Sequence, residues 1–185
     1  SMIPKKYNPT PFQEMIEGFY NVLDGQEYVG AYHDRHGVNS AQILTVTDDE
    51  TAHLISSHLA ERIKGKRVIE IGGGVGLLAM HMAQYAERVI VIEADPAWTD
   101  VFLATLYTRK PKNVTFIFGA ADEVVGMIRG DVALFCTHSD HDGMKVTAER
   151  FAPVVIDVYR EIISKERETE ILAQHIKGET DEMDL

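Results

Sequence analysis

From Arg67 onward the chain alternates short β-branched runs with helical segments, and this alternation limits the fold more than any other feature. Val68–Ile71, Val89–Ile92, Val114–Phe118 and Val132–Cys136 read as strands. Between them Leu77–Tyr85, Trp98–Tyr107 and a short Ala121–Met127 segment read as helices. The runs are mostly apolar rather than apolar at every second residue, so both faces of the sheet are expected to be covered. Strand–helix–strand units of this length close by right-handed crossovers and give a parallel sheet.

Upstream, Asp48 or Asp49 is placed to cap a helix running to about Lys64, with Leu54, Ile55, Leu59 and Ile63 along one face. Phe12–Leu23 carries a helical stripe, and Gly25–Val46 has no clean period and reads as a loop or lid. Downstream the pattern is ambiguous. Val154–Val158 is β-prone, yet Val155, Val158, Tyr159, Ile162 and Ile163 also form a helical stripe with Pro153 at its first turn. The helical reading is preferred, which moves the fifth strand to Glu170–Ile176. The expected organisation is an N-terminal helix and lid (1–47), an α/β cofactor-binding domain (48–178) and an acidic tail (179–185).

A net charge of −11 with no basic run disfavours a nucleic-acid partner, because phosphate binding draws on Lys and Arg. No apolar run is long enough to cross a bilayer, and no leader peptide is visible at the start of the sequence. With Cys136 as the single cysteine, these features predict a cytoplasmic protein without disulfides.

The functional signal lies in Val68-Ile-Glu-Ile-Gly-Gly-Gly-Val-Gly-Leu-Leu78. Glu70, Gly72, Gly74 and Gly76 alternate where a strand turns into a helix. Glycine lets the backbone turn tightly and approach a ligand that a Cβ would exclude. A dinucleotide fingerprint read from Gly72 would require glycine at position 77, which is Leu77 here. The Glu-x-Gly-x-Gly-x-Gly arrangement instead resembles the first motif of class I S-adenosylmethionine-dependent methyltransferases. The next strand ends on Glu93, matching the family residue that binds both ribose hydroxyls. Gly119-Ala-Ala-Asp122 resembles the adenine-contacting segment, although the acid that commonly follows the glycine is Ala120 here.

The resemblance covers residues 48 to about 136. It implies a Rossmann-like methyltransferase fold of about five mostly parallel strands flanked by helices, with no complete C-terminal hairpin. It also implies S-adenosyl-L-methionine as cofactor, held by Glu70, Gly72, Gly74, Gly76, Glu93, Ala121 and Asp122. Methyl transfer asks mainly for in-line approach, and a base is required only when the acceptor must lose a proton. Candidates for that base follow the fourth strand, where Cys136-Thr-His-Ser-Asp-His-Asp142 would face the carboxyl edge of the sheet. His138 or Asp140 is the expected catalytic residue, with His141 and Asp142 beside them, and no metal site is expected. Tyr28 and Tyr32 would line a lid. The Asn/Asp-Pro-Pro signature of adenine amino-methylating enzymes and the Pro-Cys pair of cytosine-C5 enzymes are both absent. The expected acceptor is therefore a small molecule or protein side chain, with a homodimer or partner subunit as a further possibility. The competing reading is a non-catalytic S-adenosylmethionine-binding module.

Overall fold

The computed structural model describes residues 46, 49–137 and 140–166. The expected N-terminal helix and lid, the alternative strand Glu170–Ile176, the acidic tail and His138 lie outside the described residues. Helix α1 (Asp49–Ile63) leads into strand β1 (Arg67–Ile71), then α2 (Leu77–Met82), β2 (Arg88–Glu93) and α3 (Pro96–Arg109). Strand β3 (Val114–Phe118), α4 (Ala121–Val124), β4 (Val132–Phe135), α5 (His141–Glu149) and β5 (Val154–Asp157) follow. A π-helical turn, Tyr159–Ile163, comes after β5. All pairings are parallel, in the order β3-β2-β1-β4-β5.

Burial on both faces explains the mostly apolar runs. Val68, Val89, Val91, Val132, Leu134 and Ile156 point to one face, packed by Ile55, Leu59, Met82 and Phe102 of α1, α2 and α3. Ile69, Ile71, Ile90, Ile92, Ala133 and Phe135 point to the other, against Ala148, Phe151 and Ala152. Each fully buried Val, Ile or Leu contributes roughly 1.5–3 kcal/mol. The sheet needs both helical layers to collect that contribution.

Two readings are corrected. The fifth strand is Val154–Asp157, with Ala133 aligned to Val155 and Leu134 to Ile156. The free edge of β4 takes up the β-branched Val-Val-Ile run, and the predicted helical stripe survives only in Tyr159–Ile163, directly after the strand. Second, the polar stretch after β4, for which no helix was expected, becomes helix α5 from His141. Its inward residues, Met144 and Ala148, cover the second face of the sheet.

Helix α2 is shorter than the expected Leu77–Tyr85. After Met82 the backbone tightens to i→i−3 bonds, Gln84 N to His81 O and Tyr85 N to Met82 O. The Asn113 amide donates to the Ala83 carbonyl at 2.9 Å and so fixes this turn. No helix among the described residues is long and apolar enough to cross a membrane.

The outer helices are tied by a buried charge cluster. Asp49, 1% exposed, takes a two-pronged bond from Arg109, with Nη1 to Oδ1 at 2.6 Å and Nη2 to Oδ2 at 2.7 Å. His81 Nε2 lies 2.8 Å from the same carboxylate. Burial by itself would raise the Asp49 carboxyl; the hydrogen bonds and charges of His81 and Arg109 outweigh it and hold the group well below the usual carboxylate range. Of the two candidate caps of α1, Asp48 lies outside the described residues, and the Asp49 side chain joins α1 to α2 and α3.

Candidate functional site

The strand order reverses direction at β1, so the crevice beyond the carboxyl ends of β1 and β4 is where an open α/β sheet binds ligands. The glycine turn sits at that point. Gly72, Gly74 and Gly76 hold φ of 74°, 58° and 89°. Gly72 N donates to Ile92 O at 2.8 Å, and Gly76 N closes the turn on Gly73 O at 3.0 Å. Thr105 Oγ1 of α3 donates to Val75 O at 2.9 Å, fixing the turn from behind.

Gly73 is required for packing rather than for its φ. A Cβ there would overlap Cγ1 of buried Val91 and crowd Phe102, which stacks on Phe116 at 4.4 Å. Gly73→Ala is therefore expected to destabilise the fold by about 1–3 kcal/mol, the usual cost of overpacking. A denaturant midpoint that falls with an unchanged slope would register this.

Two carboxylates face the turn in different states. Glu93, 7% exposed, accepts from Gly74 N at 2.9 Å with Oε1, and from Ala94 N at 2.8 Å and Asp95 N at 3.1 Å with Oε2. Burial pushes its carboxyl up to about 6; the amides of Asp95, Gly74 and Ala94 pull it back while the Asp95 charge adds to the rise. Glu70 is 3% exposed, and its Oε2 is buried with no hydrogen-bond partner among the described residues. Burial, and then the charge of Glu93, push the Glu70 carboxyl up to about 8. An unpaired buried oxygen of this kind carries a desolvation penalty of about 1–3 kcal/mol.

Phe118 ends β3, the edge strand, opposite Glu93 and is 57% exposed. On the neighbouring segment, Ala121 packs against the second-face core. Asp122 is mostly exposed and takes a 3.0 Å ion pair from Arg150 at the end of α5.

The β4–β5 side carries a different arrangement. Asp140 is exposed, holds φ of 52° and precedes α5, and Met144 N bonds its carbonyl at 3.0 Å. The next residue, His141, turns inward. Its Nδ1 lies 2.6 Å from Asp157 Oδ2 at the end of β5. The Asp157 side chain is 14% exposed and that of His141 12%. Asp157 Oδ1 also accepts from Arg160 N at 3.0 Å. Among the described residues no group of three His, Cys, Asp or Glu side chains converges as a metal site would require.

No family model matches the chain. A "Probable ribosomal RNA small subunit methyltransferase A" of Methanosphaera stadtmanae is 27% identical over 92 residues, covering 50% of this chain and 33% of that protein. The chain thus spans about a third of the length of this curated relative. Among solved structures, a precorrin-6y C5,15-methyltransferase from Geobacter metallireducens superposes with a TM-score of 0.50 at 14% identity, over 60% of this chain and 61% of that one. The fold is that of class I S-adenosylmethionine-dependent methyltransferases. Aeropyrum pernix fibrillarin, in complex with S-adenosyl-L-methionine, gives a TM-score of 0.45 at 20% identity, with coverages of 57% and 51%.

On this methyltransferase fold, the turn of Gly72, Gly74 and Gly76 follows directly on Glu70 of β1 and is bonded to Glu93 at the end of β2. Ala121 and Asp122 lie one strand further out, where Asp122 engages Arg150. Asp140 stands on the β4 side, with its carboxylate beside Gly143 of α5. Sequence reasoning passed over Asp157, because an acid at the end of a segment read as helical gives no sign of facing a histidine 16 positions earlier.

Proposed function

We propose that this protein is an S-adenosylmethionine-dependent methyltransferase acting on a small molecule or protein side chain. The observation that carries the reading is Glu70 Oε2, a buried acceptor without a donor beside a turn of glycines. It fits a cationic ammonium arriving at that turn. The methionine end of S-adenosylmethionine brings one, and its charge would draw the Glu70 carboxyl to its anionic form; the pyrophosphate of a dinucleotide brings no cation to this site.

The glycines at 72, 74 and 76 keep the turn open to close approach. Glu93 has used three of roughly four acceptor sites on its carboxylate, so a ribose hydroxyl can take the remaining site and compete for the Gly74 contact. Phe118 offers its ring to adenine, with the Ala121 backbone and the Asp122 carboxylate at the ring's edge. When bound, the cofactor supplies an electrophilic methyl group on sulfur. His138 and Asp140 are proposed to face the acceptor from the loop after β4. The net charge of −11 favours a small-molecule or protein acceptor over RNA, although the curated relative is described as acting on ribosomal RNA. A single cysteine suits the reducing cytoplasm.

Calorimetric titration with S-adenosylhomocysteine, with NAD as control, tests the cofactor. Micromolar binding of the former alone supports the reading; binding of NAD alone, or of neither, overturns it. The same titration yields a sharper result. At pH 7 a Glu70 carboxyl near 8 is largely protonated, and an ammonium placed against it favours the anion. Binding should therefore release close to one proton at pH 7, visible as a heat that changes with the ionisation enthalpy of the buffer. Glu70→Gln should abolish that dependence.

The stability linkage has the corresponding sign. The folded carboxyl is raised, so its contribution is complete below the unfolded value near 4.3 and is lost as pH rises through about 8. Thermal scans should show Glu70→Gln gaining on the unaltered protein as pH rises from 5 to 9.

A further inference from the structure

We infer that His141 and Asp157 form a proton-accepting dyad for the methyl acceptor, and that this acceptor presents a hydroxyl group. The inference rests on the methyltransferase reading above and adds the acceptor chemistry to it.

The placement follows from register. Ile71 pairs with Phe135, and Phe135 pairs with Asp157, so the three residues lie on one rung across β1, β4 and β5. Ile71 is the last residue before the glycine turn. Asp157 is therefore two strand spacings, about 10 Å, from the start of the cofactor turn, along the same carboxyl edge. The donor occupies the β1–β2 side of the switch point and the dyad stands on the β4–β5 side. An acceptor between them meets both.

The orientation follows from hydrogen bonding. Asp157 Oδ2 lies 2.6 Å from His141 Nδ1, and Oδ1 is engaged by Arg160 N at 3.0 Å. The backbone beneath is fixed too, since Asp157 N donates to Glu161 Oε2 at 2.9 Å and Glu161 Oε1 accepts from Arg62 at 3.1 Å. A carboxylate at Nδ1 keeps the proton on that nitrogen and leaves the lone pair on Nε2. Nε2 of His141 makes no hydrogen bond among the described residues. The Tyr159 ring, 5.8 Å from the imidazole and tilted by 51°, gives an acceptor one flat wall. Charged groups around the dyad are Arg160, whose Nε is 3.8 Å from Asp157, Glu161, and Asp142, which Arg160 reaches at 3.4 Å.

A base of this kind selects the acceptor. Thiolates, carboxylates and neutral amines already present a lone pair, and a hydroxyl must shed its proton as it attacks. The acceptor oxygen bonds the methyl carbon while the carbon–sulfur bond breaks with its electron pair going to sulfur. The hydroxyl proton passes to His141 Nε2. The resulting imidazolium is held against the Asp157 carboxylate and returns the proton to water after product leaves.

The test uses the full chain with a graded series of phenols, from phenol itself to p-nitrophenol, following S-adenosylhomocysteine formation. His141→Gln should lower kcat about 100- to 10,000-fold on phenol. The loss should shrink steadily as the phenol becomes acidic enough to ionise unaided. Asp157→Asn should lower kcat by a smaller factor with KM little changed. Calorimetry with S-adenosylhomocysteine is run on each variant: loss of binding in the unaltered protein condemns the cofactor reading, whereas retained binding isolates the dyad. A long-range ¹⁵N–¹H spectrum of the imidazoles supplies a readout independent of turnover. It should show His141 protonated at Nδ1 in the unaltered chain and shifted in Asp157→Asn. Retained cofactor binding with no turnover of any phenol, a uniform loss across the series in His141→Gln, or an Nε2-protonated His141 would each overturn the assignment.

Discussion

Asp49→Ala is expected to destabilise the fold by about 3–5 kcal/mol, the range seen when one partner of a buried ion pair is removed. For a chain of this size that corresponds to a fall in Tm of roughly 10 °C or more. The reason is what stays behind. Arg109, 23% exposed, would keep its charge without the carboxylate that now takes two of its donors, and His81, 14% exposed, would lose the same partner. Arg109→Ala should be less severe, because His81 still faces the carboxylate. Asp49→Asn separates charge from shape. It preserves volume, cannot neutralise the guanidinium, and should fall between the unaltered protein and Asp49→Ala. The pH dependence has a definite sign. The folded carboxyl is depressed, so its contribution is complete above the unfolded value near 3.9 and is lost as pH falls toward the folded value. Urea titrations at pH 7 and pH 3 should show the Asp49→Ala deficit narrowing in acid; an equal deficit at both would deny the ion pair its role.

Glu93→Ala should weaken S-adenosylhomocysteine binding about 100-fold or more, close to 3 kcal/mol. Two losses combine. The carboxylate is the proposed ribose ligand, and it also holds the glycine turn through Gly74 N while satisfying the amides of Ala94 and Asp95. Glu93→Gln discriminates between them. Its single carbonyl oxygen can serve Gly74 or the Ala94–Asp95 pair but not both, and its NH₂ would oppose whichever amides it meets. Binding should therefore fall nearly as far as in the alanine variant. With the unaltered chain, affinity should decline as pH drops through about 6 and the carboxyl protonates. Titrations from pH 8 to pH 5 measure this, and a flat profile would show that Glu93 makes no ribose contact.

These residues differ in how far the sequence announces them. The glycine turn and Glu93 were legible because a strand-to-helix reversal and a strand end are local events with local signals. The four strands from Arg67 to Phe135 were legible for the same reason, each being a short, mostly apolar run bounded by helical segments. Val154–Asp157 was not, since its β-branched run overlaps a helical period. What decides it is an edge of β4 lying 22 residues upstream in register, Val132 against Val154. Helix α5 was hidden by His-Asp-Gly at its start, residues that favour turns until Ala148 and Met144 find the sheet face. The partners of Asp49 and Asp157, at 109 and 141, were not legible, because they are chosen by tertiary packing and leave no mark on the surrounding spacing.

The central position of β1 has a consequence for the order in which this chain can fold. Its neighbour β2 follows closely, but its other neighbour, β4, begins at Val132, and Asp131 closes the joint by accepting from Arg67 N at 2.9 Å. Until a ribosome has delivered that segment, the middle strand presents an open, apolar, hydrogen-bond-hungry flank. Such flanks pair with other chains. Contacts that span more than 60 residues also slow the search for the native state. A nascent chain halted between β3 and β4 would therefore carry the glycine turn and Glu93 and yet be the species most exposed to misassembly.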